Sequence, residues 1–191
     1  MLQKALFFDI DGTIISEQTG RIPNSTIEAL TRAKENGHLL FINSGRTRCS
    51  IPPVLLPMPF DGFLCGCGTE LIYNGESFYH HTLSPDAVHS IIMDFINYDC
   101  DGLLEGSDFI YFPPTCSRFS EVERIRHTFK QLGIAKTYPT RSISIDKFVF
   151  FTDIRSNTMP MIEKLSKNYD VIDRRHGFYE VVPKGHSKAT A

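Results

Sequence analysis

Two carboxylic acids one residue apart, Asp9 and Asp11, stand directly behind the apolar run Ala5-Leu6-Phe7-Phe8, and Gly12-Thr13 completes the pentapeptide Asp9-Ile10-Asp11-Gly12-Thr13. Alternate residues leaving an extended strand point to the same side, so the two carboxyl groups can converge on one small volume. Like charges that close are costly unless a cation or a shared proton relieves them. A D-x-D pair alone is common and reads as readily as a solvated turn; the apolar strand before it and the Gly-Thr tail behind it favour chemistry. Two further clusters carry complementary groups. Ser44-Gly45-Arg46 offers a hydroxyl and a guanidinium, and Ser187-Lys188-Ala189 a hydroxyl and an ammonium.

The elements that would position these groups can be read from pattern. The apolar run over 4–8 reads as a strand buried on both faces of a parallel sheet, with Asp9 at its carboxyl end. Residues 14–22 are expected to form a flap over that end. A helix follows, with Asn24 or Ser25 as its cap, Ile27, Leu30 and Ala33 on one face, and Gly37 beyond its end. Residues 38–42 are the second strand, stopped by Ser44-Gly45-Arg46. A β-α-β unit closes right-handed, so the two strands run parallel and bring both clusters to one sheet edge. Open α/β sheets bind ligands at that edge. Pro52, Pro53, Pro57 and Pro59 leave room only for a short or broken helix before a third strand near residues 60–65. Residues 69–73 and 76–80 read as a hairpin around Asn74-Gly75.

From about Leu83 the rhythm changes to longer helices and antiparallel-looking strands. Ser84-Pro85-Asp86 starts a helix whose stripe is Val88, Ile91, Ile92, Phe95 and Ile96. Strands are expected at 103–105, 109–112 and 144–152, helices around 122–132 and 157–168, and a closing strand pair at 169–172 and 178–182. This is a two-layer α+β module inserted into the first sheet. The expected organisation is a core over 1–80, an inserted domain over 81–182, and a return to the core over 183–191, where Ser187 caps a helix start.

A chain of 191 residues with 41% hydrophobic and 22% charged residues is an ordinary globular composition. Its net charge of −2 and the lack of any Lys/Arg run argue against nucleic acid. The opening apolar run is too short for a signal segment or a membrane span, so the cytoplasm is the expected location. Five cysteines without framework spacing read as reduced thiols, and Cys65-Gly66-Cys67 as small buried strand-end residues rather than a metal or redox pair. The pair His80-His81 reads as a solvated hairpin end. No G-x-x-x-x-G-K-[ST] run is present, and Gly66-Cys67-Gly68 lacks the third glycine of a dinucleotide loop.

Asp9-Ile10-Asp11-Gly12-Thr13 resembles the first motif of the haloacid dehalogenase superfamily. Ser44-Gly45-Arg46 resembles its second motif, and Ser187-Lys188-Ala189 the third motif of the Cof-type subfamily, with Lys184 as a competitor for the lysine. The inserted module is similar in size and pattern to a type IIB cap. What the resemblance implies is an α/β, Rossmannoid core with a parallel sheet plus an inserted α+β cap, and a magnesium-dependent phosphatase acting on small phosphorylated metabolites such as sugar phosphates or pyridoxal phosphate. It implies Asp9 as nucleophile and Asp11 as acid and base, with Ser44 and Lys188 on the phosphate. Gly12 and Gly45 would line the phosphate, Thr13 and Arg46 are further candidates, and Asp9 with the Asp11 carbonyl would hold Mg2+. A phosphate monoester is a dianion, and a unit charge pair at about 4 Å is worth roughly 4 kcal/mol at an effective dielectric near 20, so a bare carboxylate would repel it. Asp9 attacks as the ionised form, whereas Asp11 needs a raised pKa to protonate the leaving group. A phosphomutase or phosphotransferase of the same superfamily, and a non-catalytic phosphometabolite-binding remnant, are the alternatives.

The family's fourth, acidic motif has no counterpart, since no acidic residue follows Glu180. The C-terminal core strands that would flank the first strand are likewise missing, which leaves it at an exposed edge. The expectation is a fragment of a longer phosphatase, or a chain whose edge another molecule covers, self-association included. Weak magnesium binding and low turnover are expected to accompany it.

Overall fold

The structure, a computed structural model, describes residues 2–138 and 143–191. The chain divides into two compact units, Met1–His80 with His186–Ala191, and His81–Gly185.

The first unit is built on a five-stranded sheet in sequential order, β1 (Ala5–Phe8), β2 (Leu39–Asn43), β3 (Gly62–Cys65), β4 (Glu70–Tyr73) and β5 (Glu76–His80). The first three strands are parallel, with Ala5 opposite Leu39 and Phe41 opposite Gly62, and the β4–β5 hairpin adds antiparallel strands. Its turn places Asn74 and Gly75 at positive φ, the geometry that matches the twist of a two-residue hairpin. Helix α1 (Asn24–Glu35) connects β1 to β2, and two short 3-10 turns, Arg48–Ser50 and Pro53–Leu55, occupy the proline-rich stretch. The expected cap is displaced by one position. Pro23 stands at the N-cap with φ −61° and no side-chain cap bond, so Asn24 is already helical.

Leu30 of α1 packs with Ile10, Leu40, Ile42, Leu55 and Cys65 into the core of this unit. Only one face of β1 joins it. Leu6 and Phe8 are half-buried against that core, while Phe7 is 54% exposed, which corrects the expectation of burial on both faces. Phe7 instead stacks on Phe41 at 5.1 Å, and Phe41 on Tyr73 at 5.9 Å, an aromatic row across the second face. Gly62 lies beneath that row: a Cβ there would sit 2.3 Å from the Ile72 carbonyl oxygen and 2.9 Å from the Phe41 ring. Gly62→Ala is therefore expected to cost about 1–3 kcal/mol, the range of an overpacked core, because the nearest obstacle is backbone. Urea unfolding would measure it, and an unchanged midpoint would refute the contact.

The second unit carries a six-stranded sheet in the order β10-β11-β9-β6-β7-β8. Its elements are α2 (Pro85–Asn97), β6 (Asp101–Glu105), β7 (Ile110–Phe112), α3 (Ser120–Gln131), β8 (Ala135–Thr137), β9 (Lys147–Phe151), α4 (Thr158–Leu165), β10 (Tyr169–Asp173) and β11 (Phe178–Pro183). All pairings are antiparallel except β7 with β8. Ser84 caps α2 as its sequence demands, its side chain accepting a hydrogen bond from the Ala87 amide, with Pro85 in the first turn. Phe148, Phe150, Leu104 and Val181 from the sheet meet Val88, Ile91 and Phe95 of α2 and Met161 and Leu165 of α4.

One strand is added here and one boundary corrected. The three residues of β8 carry too little pattern to be read from sequence. The strand expected from 144 begins at Lys147. Among the cysteines, Cys65 and Cys67 are buried as expected; Cys100 is buried as well, and Cys116 is exposed. No helix among the described residues is long and apolar enough to cross a membrane.

Candidate active site

At the carboxyl end of β1 the chain folds into a tight turn. The amides of Thr13, Ile14 and Ile15 all point at the Ile10 carbonyl, at 3.3, 3.0 and 2.9 Å, and the Gly12 amide donates to the Ile15 carbonyl at 3.0 Å. Gly12 has φ +74°, a conformation that glycine adopts at no steric cost. The amides of Gly12 and Thr13 are thus engaged within the turn, so their evident contribution is its shape. Ile10 is fully buried, while the carboxyl groups of Asp9 and Asp11 stay accessible, 40% and 53% exposed.

Each carboxylate meets a different cation. Asp9 Oδ1 lies 2.7 Å from Lys188 Nζ and accepts from the Ile10 amide at 2.8 Å. Asp11 receives a bidentate guanidinium: Arg46 Nε to Oδ2 and Nη2 to Oδ1, both 2.9 Å. That fork holds the Asp11 carboxyl below the usual carboxylate range, against the opposing effect of desolvation and with added help from the charges of Arg46 and Lys188. The expectation of a raised Asp11 pKa is overturned for this arrangement, because a paired guanidinium stabilises the ionised form.

Ser44 sits where β2 ends and is 1% exposed. Its amide donates to the Leu64 carbonyl and its own carbonyl accepts from Cys67, which fixes its backbone, and its Oγ accepts from the Arg46 amide at 3.2 Å. A hydroxyl has one hydrogen of its own to donate. Among the described residues that hydrogen of Ser44 has no acceptor, so it is available to a ligand oxygen. Gly45 is half-buried between Ser44 and Arg46.

Lys188 reaches the site from a single helical turn. Ser187 Oγ accepts from the amides of Ala189 and Thr190, at 3.2 and 3.1 Å, the cap expected from the sequence. Lys184, the competing lysine, belongs to the other unit and makes no ion pair among the described residues. The candidates thus fall into two groups within the first unit, which the Asp9–Asp11 turn joins along the chain. Lys188 joins Asp9, Arg46 joins Asp11, and Ser44 binds the Arg46 backbone.

A supporting loop escaped the sequence reading. Gly66, Cys67 and Gly68 all have positive φ, and their amides brace the site: Gly66 to the Arg46 carbonyl at 2.8 Å and Cys67 to the Ser44 carbonyl at 3.0 Å. Cys67 takes a left-handed conformation that is uncommon outside glycine and asparagine. The signal was two glycines flanking one residue at a strand end, which marks a forced backbone before it marks a metal or redox pair.

The donor set suits a hard cation. Asp9 Oδ2 and the Asp11 backbone carbonyl accept no hydrogen bond from any described residue. Both are oxygen ligands of the kind magnesium prefers.

A family model for haloacid dehalogenase-like hydrolases matches residues 6–191. The chain is 30% identical over 92 residues to YkrA of Bacillus subtilis (strain 168), and 32% identical over 74 residues to the pyridoxal phosphate phosphatase YbhA of Escherichia coli (strain K12). Those matches take in 48% and 39% of this chain but only 35% and 27% of the relatives. Among solved structures, the HAD subclass IIB sugar phosphatase BT4131 superposes with a TM-score of 0.76 at 24% identity, over 98% of this chain and 73% of that one. A haloacid dehalogenase-like hydrolase from Bacteroides thetaiotaomicron gives 0.79 at 20% identity, over 98% and 74%. The fold is therefore the mixed α/β fold of subclass IIB. A match running from the first strand through the Lys188 turn makes the placement plain: the chain belongs to the haloacid dehalogenase-like hydrolase family.

Proposed function

We propose that this chain carries the phosphoryl-transfer half-site of a phosphatase for small phosphorylated metabolites, with Asp9 as the nucleophile. The observation that supports this most directly is the Asp9–Lys188 ion pair at 2.7 Å beside the Arg46–Asp11 pair, two carboxylates each held by a cation that a phosphate dianion can recruit. Lys188 and the free Ser44 hydrogen bind phosphoryl oxygens and orient the phosphorus toward Asp9. An Asp9 oxygen forms the new P–O bond while the ester oxygen departs with a proton from Asp11. Asp11, now ionised, takes a proton from water, which attacks the aspartyl phosphate, releases inorganic phosphate and regenerates Asp9. Mg2+, held by the Asp9 carboxylate and the Asp11 carbonyl, would neutralise charge between nucleophile and phosphate. The unit His81–Gly185 serves as the cap that selects the substrate.

The depressed Asp11 pKa gives Arg46 a definite part. An acid paired to a guanidinium is ionised at neutral pH, so Asp11 becomes a proton donor only when Arg46 turns to the incoming dianion. Arg46→Met removes the group that lowers the Asp11 pKa. An acid catalyst loses activity as pH rises through its pKa, so the alkaline limb of kcat/KM is expected to move to higher pH in the variant. A limb that stays in place would separate Arg46 from Asp11 in the mechanism.

The function is tested by incubating the protein with Mg2+ and a panel of sugar phosphates, pyridoxal phosphate and p-nitrophenyl phosphate. Release of inorganic phosphate is expected. Transfer of the phosphoryl group to a second sugar hydroxyl would identify a phosphotransferase instead, and inertness toward the whole panel, in the presence of tight orthovanadate binding, a binding protein.

A further inference from the structure

We infer that Asn43 is a positioning residue for Lys188, an inference that rests on the phosphoryl-transfer reading above. Lysine carries its charge on a flexible four-carbon stem, so an ammonium is aimed only as well as the backbone beneath it is fixed. Lys188 stands on one isolated turn whose cap bonds, from the Ala189 and Thr190 amides to Ser187 Oγ, are internal to the turn. Internal bonds give the turn its shape and leave its place against the sheet undetermined.

Contacts to the sheet supply that place: Tyr79 Oη of β5 lies 2.8 Å from Nε2 of His186, the residue before the turn, and two further contacts reach the turn itself. Gly68 lies against the turn so closely that a Cβ there would be 3.0 Å from the Ser187 carbonyl oxygen. Asn43, the last residue of β2 and the neighbour of Ser44, donates from Nδ2 to the Lys188 carbonyl oxygen at 2.7 Å. One side chain thereby ties the lysine's own backbone to the strand end that carries the serine.

The amide orientation follows from chemistry. The Lys188 carbonyl can only accept, so at 2.7 Å it requires the NH2 of Asn43 and not its oxygen. Asn43 Oδ1 is consequently left buried with no partner among the described residues. A buried acceptor without a donor is unfavourable, and an aliphatic residue at position 43 would avoid the penalty. The side chain costs stability at its oxygen end, so what it supplies is the bond at its nitrogen end.

Small displacements of a group that binds a reacting phosphoryl are expensive in rate. Asn43→Leu, which keeps the size and deletes the donor, is expected to lower kcat/KM for p-nitrophenyl phosphate about 10- to 100-fold. Inhibition by orthovanadate should weaken in step. Asn43→Asp, nearly isosteric but presenting oxygen to oxygen, should be at least as impaired, and it tests the same bond if the leucine variant does not fold.

The deciding measurement is a double-mutant cycle with Lys188→Ala. If Asn43 acts through Lys188, Asn43→Leu changes kcat/KM less than about twofold once the ammonium is gone. A full loss persisting in the Lys188→Ala background, or a fully active Asn43→Leu single variant, overturns the inference and leaves the proposed function standing. A Lys188→Ala single variant with wild-type activity overturns the phosphoryl-transfer reading itself, and Asn43's role with it.

Discussion

Asp9→Asn is expected to lower phosphomonoester hydrolysis by at least about 10^4-fold, since a carboxamide cannot form the covalent intermediate on which the proposed mechanism depends. The fold should survive. Asp9 contributes one hydrogen bond to the Ile10 amide and one half-exposed ion pair to Lys188. A half-exposed pair is worth about 1 kcal/mol or less, so thermal unfolding should shift little. The variant should still bind orthovanadate, because Lys188 and Ser44 remain. It should also fail to incorporate label from a phosphorus-labelled substrate, where the wild-type chain acquires a base-labile, hydroxylamine-sensitive phosphate. Wild-type turnover from a clean Asp9→Asn preparation would remove Asp9 from the mechanism and, with it, the meaning assigned to the ion pair.

The parts of this molecule legible in sequence are those set by local chemistry. An apolar strand ending in acids, a proline-rich break and an Asn-Gly turn each express a constraint acting within a few residues, and β1, the two 3-10 turns and the β4–β5 hairpin follow from them. Ser84-Pro85 announces the start of α2 for the same reason. What escaped depends on partners distant in sequence. The bond from Asn43 to Lys188 spans 145 positions. The brace from Cys67 to Ser44 exists only once β3 lies beside β2. The three-residue β8 is a strand because β7 offers it a ladder, and its own composition does not demand one. The pKa shift of Asp11 belongs to this second class. Spacing put Asp11 two positions from Asp9, but the pairing with Arg46, 35 positions away, lowers its pKa, the direction opposite to the one its expected role required.

That opposition makes Asp11→Asn the more informative of the large-effect substitutions. General acid-base catalysis contributes about 10^2–10^4-fold, and an amide can neither give nor take the proton. The loss should depend on the leaving group. An alkyl phosphate such as a sugar phosphate must expel a strongly basic alkoxide and needs the proton in the first step. p-Nitrophenolate is a far better leaving group and can depart without it. With Asp11→Asn, p-nitrophenyl phosphate should therefore still phosphorylate Asp9, while the second step, which needs a base to activate water, stalls. A burst of p-nitrophenol stoichiometric with protein, followed by a slow steady state, is the expected trace, with phosphate held on Asp9. Sugar phosphates should show no burst. Arg46 sharpens the test, since the substituted side chain no longer offers it a charged, bidentate partner, and the guanidinium, still anchored to the Ser50 carbonyl, is held back less strongly from the phosphate. Orthovanadate should accordingly inhibit the variant at least as strongly as the wild type. Equal losses for aryl and alkyl phosphates with no burst would mean that Asp11 acts through charge or metal binding rather than through a proton, and the assignment of acid and base would have to move to another residue.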